Sequence, residues 1–164
     1  MSIQLRATVY PTICRVLFAL VAAIAVTPTA RAEGGQRSVP LLPKYQQECG
    51  ACHGAYPPGM LPAASWKRLM GKLGSHYGTD ASLDAPTLKE LETWLNANAG
   101  TYTGARQEPP QDRITRSAWF TSEHDEVSAA SWKLPAVKSA ANCVACHSGA
   151  NQGDFNEHQV RIPR

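Results

Sequence analysis

The chain has 164 residues, with 16 basic against 13 acidic side chains and a formal charge of +3. A single domain is the default at that length. So small a charge, with no basic run and no basic-aromatic patch, speaks against a nucleic-acid partner.

The first predicted element is an export signal. Arg6 and Arg15 form its basic end, residues 16–26 are an unbroken apolar stretch, and Ala30-Arg31-Ala32 has the small-x-small form of a cleavage site. Eleven apolar residues fall short of the roughly 20 that a helix needs to cross a bilayer. Residues 1–32 are therefore expected to be removed near Ala32, leaving no membrane span and an exported product. Removal takes Arg6, Arg15 and Arg31 with it, so 13 basic residues face 13 acidic ones in the mature chain. Cys14 leaves too, and the four remaining cysteines form two Cys-x-x-Cys pairs with no odd thiol.

Residues 33–44, with Gly34, Gly35, Pro40 and Pro43, read as an irregular arm. A helix is expected over Tyr45–His53, carrying Cys49-Gly50-Ala51-Cys52-His53. Pro57, Pro58 and Pro62 break the next stretch. Ser65 is placed to cap a helix whose apolar stripe is Trp66, Leu69, Met70, Leu73, His76 and Tyr77, although Gly71 and Gly74 each weaken it by up to ~1 kcal/mol relative to Ala. Asp84 caps another, with Pro86 in its first turn, Leu88, Leu91, Trp94 and Leu95 on its inner face and Gly100 as its stop. The Gly-, Pro- and Gln-rich segment Thr101–Arg113 is the expected boundary between a first lobe (33–104) and a second (105–164). Short helices then carry His124 and Cys143-Val144-Ala145-Cys146-His147. Alternating strand patterns are scarce. The expectation is an all-α chain with long loops, built as two small lobes packed together, each on one Cys-x-x-Cys-His motif, with Trp66, Trp94, Trp119 and Trp132 as packing residues.

Cys-x-x-Cys-His is the attachment pattern of c-type haem. Residues three apart on a helical turn share a face. Two such thiols, Cys49 with Cys52 or Cys143 with Cys146, can therefore bond the two vinyl groups of one porphyrin. The next residue, His53 or His147, supplies the proximal nitrogen to iron. A disulfide, a thioredoxin-type dithiol and a four-Cys zinc site are the competing readings. Zinc pairs usually lie about 15–20 residues apart, whereas 90 residues separate Cys52 from Cys143. Two copies of the full motif on an exported chain favour two covalently bound haem c groups.

Each iron has one more axial position to fill. His76 lies on the apolar stripe of its helix, and His124 lies four residues after Phe120, on the same helical face. Both are the preferred ligands. His158, in a polar tail, reads as solvated. Met60 and Met70 keep a Met/His arrangement open. His76 follows His53 by 23 residues and His124 precedes His147 by 23, so the two units are mirrored in sequence order.

The runs Glu48–His53, Leu61–Trp66 and Leu73–Gly78 resemble the periplasmic dihaem cytochromes c of bacteria. So do Ile114–Phe120 leading to His124-Asp125-Glu126, then Asn142–His147, and the ending Gly153-Asp154-Phe155 to Arg164. The similarity covers nearly all of the chain after residue 32. It departs at Tyr77, where the family pattern has Phe. The resemblance implies electron transfer with both irons bis-His, His76 distal to the first haem and His124 to the second. It implies redox-protein partners: a soluble monohaem cytochrome, such as a small oxygen-binding one, or a membrane cytochrome. A carrier, not an enzyme, is the expectation. The alternative is a redox subunit of a larger enzyme, or a small haem reductase or peroxidase with a displaceable axial ligand.

Overall fold

The computed structural model describes residues 39–164; the expected signal segment, its cleavage point and residues 33–38 of the expected arm lie outside the described residues. Four α-helices follow in order: α1 (Pro43–Cys49), α2 (Ala63–Met70), α3 (Ala85–Asn98) and α4 (Ala118–Glu123). Short 3-10 turns and irregular loops join them. The expected all-α, loop-rich class holds: among the described residues there is no β-strand, only isolated bridges pairing His76 with Thr79 and His147 with Val160.

Proline and side-chain caps start these helices. Pro43 opens α1 at a position where its missing N–H costs nothing. Asp84 caps α3, as its sequence position predicts, accepting from the Thr87 backbone N–H at 2.9 Å and the Thr87 hydroxyl at 2.8 Å. The Ser117 hydroxyl caps α4 by accepting from the Phe120 N–H at 3.1 Å, and itself donates to the Ile114 carbonyl at 2.7 Å.

The core lies where α2 and α3 pack. Leu91 and Leu95 of α3 are fully buried with Leu61, Trp66 and Met70, and Tyr45 of α1 closes the end. Polar atoms here are satisfied: Trp66 Nε1 donates to the Pro58 carbonyl at 2.7 Å and the Tyr45 hydroxyl to that of Tyr56 at 2.8 Å. The chain after α3 returns across this core, with Gly100 N–H to the Leu61 carbonyl at 2.7 Å and Tyr102 N–H to that of Gly59 at 3.2 Å. A Cβ on Gly59 would collide with Tyr102, so the close crossing requires glycine there. Tyr102 and Ala105 are buried.

Three local expectations shift. Helix α1 ends at Cys49, its last i→i−4 bond running from the Gly50 N–H to the Gln46 carbonyl; Cys52 and His53 lie in the turn beyond. Ser65 does not cap α2. That helix starts after Pro62, and Ser65 is buried inside it. Nor does the helix reach His76: it stops at Gly71, a 3-10 turn covers Leu73–Ser75, and His76 follows in extended conformation. The two glycines that weaken the helical reading are the physical reason.

The turn after Pro109 is pinned to α2. Arg68 donates to both carboxylate oxygens of Asp112 (2.6 and 3.0 Å) and to Glu108 at 2.7 Å. Gln111 and Asp112, with φ of 59° and 55°, sit in the left-handed region that glycine favours.

Candidate haem-binding centres

At the first centre, the end of α1 presents Cys49, the following turn presents Cys52 and His53, and the loop after α2 brings His76 opposite. The His53 and His76 ring centres are 6.2 Å apart with planes 25° from parallel. His53 Nδ1 lies 2.6 Å from the Gly54 carbonyl. A carbonyl only accepts, so Nδ1 carries the proton and Nε2 is left with its lone pair free for a metal. His76 Nδ1 is buried without a partner. Burial holds the His76 pKa below the ordinary imidazole value, with His53 and Arg113 adding to the effect.

At the second centre, a 3-10 turn over Cys143–Ala145 carries the motif, and His147 follows. His124, at the end of α4, lies across from it with ring centres 6.1 Å apart and planes at 73°. The expected i, i+4 stack is present: Phe120 and His124 lie 4.1 Å apart at 20°. His124 Nδ1–H donates to the Phe120 carbonyl at 2.8 Å, again leaving Nε2 free. Trp132 flanks His124 at 5.8 Å and Phe155 flanks His147 at 5.3 Å. Burial also lowers the His147 pKa, with His124 contributing.

The donor set fits two haem groups. Two imidazoles bound on opposite sides of one metal at about 2.0–2.1 Å, each nitrogen roughly 1.1 Å from its ring centre, put those centres about 6.3 Å apart. Both separations match, and in each pair the ring with a fixed tautomer leaves Nε2 free to ligate. No disulfide joins the four motif cysteines. Burial pushes Cys49 and Cys143 up to about 11, the reverse of the lowered pKa that makes a dithiol redox-active. Among the described residues no three His, Cys, Asp or Glu side chains gather as a metal cluster, so the two cysteine pairs do not form one zinc site.

Met60 and Met70 are buried in the α2–α3 core. His158 is exposed on a C-terminal turn.

One cleft of about 250 Å³ is bordered by Cys52 and His53 from the first centre and by Cys143 and Val144 from the second. Tyr56 stands between them. Its ring stacks on His53 at 4.8 Å, and its hydroxyl donates to the Ala141 carbonyl at 2.7 Å, two residues before Cys143. Burial, then the facing Cys143 thiol and Tyr77 hydroxyl, pushes Tyr56 up to about 12. Sequence reasoning missed Tyr56. The only available signal was its place three residues after His53, and that says nothing about Ala141.

A family model for dihaem cytochrome c matches residues 45–155. Three solved structures are similar. A dihaem c-type cytochrome from Shewanella baltica OS155 is 36% identical with a TM-score of 0.66, covering 76% of this chain and 95% of that one. DHC purified from Rhodobacter sphaeroides is 44% identical with a TM-score of 0.60, covering 71% and 99%. A dihaem cytochrome c from Rhodobacter sphaeroides is 40% identical with a TM-score of 0.62, covering 71% and 100%. No curated protein matches the chain. With two attachment motifs, two facing histidine pairs and a family match over most of its length, the chain belongs to the dihaem cytochromes c and carries two haem c groups.

Proposed function

We propose that the protein is an exported periplasmic electron carrier in which both irons are bis-His, His53 with His76 and His147 with His124. The observation that carries this reading is the pair of ring separations, 6.2 and 6.1 Å, each the span of two nitrogens about one iron. Haem c supplies a one-electron couple at each centre. The chain's part is to anchor each group through two cysteines, to fill both axial positions, and to leave no open position for a substrate. Protein nitrogens on both faces favour outer-sphere transfer at a lower potential than Met/His ligation gives. The shared cleft bordered by both motifs supports passage of an electron between the two centres.

Export is supported by the basic-apolar-small pattern of residues 1–32. Among the described residues no helix is long and apolar enough to cross a membrane. The partners that fit are other redox proteins, a soluble monohaem cytochrome or a membrane cytochrome. A carrier with filled axial positions meets them by surface contact and holds no substrate.

The test is the visible spectrum of the reduced holoprotein before and after carbon monoxide. An unchanged spectrum is expected. A shift at either haem would mean a vacant or displaceable ligand and would favour a reductase or peroxidase.

A further inference from the structure

We infer that a latch built on Tyr77 positions His76 at the first centre; this rests on the bis-His reading above. The four histidines are not held alike. His53 and His124 each donate Nδ1–H to a nearby backbone carbonyl. His147 lacks such a partner, but its neighbour Cys146 is an attachment residue. His76 has neither aid. Its Nδ1 is buried without a partner, and it lies beyond the end of its helix, after a 3-10 turn.

What fixes His76 is the next residue. The Tyr77 ring meets His76 edge-on at 4.9 Å. Its hydroxyl donates to the Gln111 carbonyl at 3.0 Å, and the Arg113 guanidinium lies 4.0 Å over its face. Tyr77 is left-handed, with φ of 49°, and 45% exposed. Burial therefore does not explain a strained aromatic residue here; its contacts with the opposite turn do. That turn is itself strained at Gln111 and Asp112 and is held to α2 by Arg68. The distal ligand is thus positioned from a segment 34 residues away in sequence.

The experiment compares carbon monoxide uptake by reduced holoproteins. Tyr77→Phe keeps the ring and removes only the hydroxyl bond; Arg68→Gln releases the turn. The unmodified protein is expected to stay inert. Tyr77→Phe should take up the gas at one of its two haems, seen as a time-dependent spectral shift that the unmodified protein lacks. Tyr77→Phe with Arg68→Gln should be faster still. His76→Ala should give the same one-haem spectrum, and adding Tyr77→Phe to it should change nothing. Haem content and far-UV dichroism equal to the parent's separate ligand release from misfolding. Should Tyr77→Phe lose haem, Arg113→Gln carries the same comparison. Inert, well-folded latch variants beside an inert parent would overturn the latch alone. So would uptake at a second haem when Tyr77→Phe is added to His76→Ala. Uptake by the unmodified protein would overturn the bis-His reading, and the latch with it.

Discussion

The planes of the two histidine pairs differ, 25° at the first centre and 73° at the second. In low-spin ferric haem, near-parallel imidazoles split the iron orbitals that hold the unpaired electron, while near-perpendicular ones leave them almost degenerate. With the proposed bis-His ligation, the oxidised protein should show two low-spin electron paramagnetic resonance signals, an ordinary rhombic one from the first centre and a strongly anisotropic one from the second. A single signal type for both irons would contradict the arrangement. At this scale much was legible. The motif fixes the cysteines and one histidine of each pair by chemistry, and Phe120 to His124 is a helical spacing that survives in the structure. The side-chain environment was not legible: Tyr56 and the Tyr77–Gln111 contact join segments 85 and 34 residues apart, which no local pattern encodes.

Among the elements, α4 is short and depends on its first turn. Ser117 is buried, caps the Phe120 N–H and donates to Ile114. Ser117→Ala should cost about 1–2 kcal/mol, read as a lower denaturant midpoint with an unchanged slope. The caps also give a pH dependence. The Thr87 N–H and hydroxyl hold Asp84 below its ordinary value, and Arg68 does the same for Asp112. A carboxylate depressed in the folded state stabilises it fully above the ordinary value of 3.8, and that contribution fades as pH falls through the lower folded value. Melting temperature should therefore drop on acidification below about that pH, and less so in Asp84→Asn. An equal drop in that variant would remove Asp84 from the account. The α3 helix was legible from Asp84 to its end because cap, proline and apolar face agree. The α2 helix was not, since an apolar stripe continues through Gly71 and Gly74 after the i→i−4 hydrogen bonds have stopped.

For the whole molecule, burial is uneven. The apolar core gathers residues from Leu41 to Phe120; beyond Phe120 the buried apolar residues are Val137 and Ala150. So thin a set cannot offset the entropy of ordering that length of chain, and the second haem must act as its core. Replacing Cys143 and Cys146 by Ser should abolish amide protection after residue 120 and spare α2 and α3, as hydrogen exchange would show. Replacing all four cysteines should leave no cooperative thermal transition. Retained protection after residue 120 would mean that the polypeptide supports itself. An all-α class with little core could be read from the helical spacings and sparse strand patterns. The crossing at Gly59 and the burial of Tyr102 could not, because turn-forming residues look the same whether they face solvent or a neighbouring loop.

Each histidine pair is closed by a loop of 23 residues. Had the ligands been exchanged between centres, each loop would span 71 residues, and the added closure entropy would be about 1 kcal/mol per loop. Local closure makes each centre a self-contained assembly problem. A chain that has received one haem can complete that centre without waiting for the other.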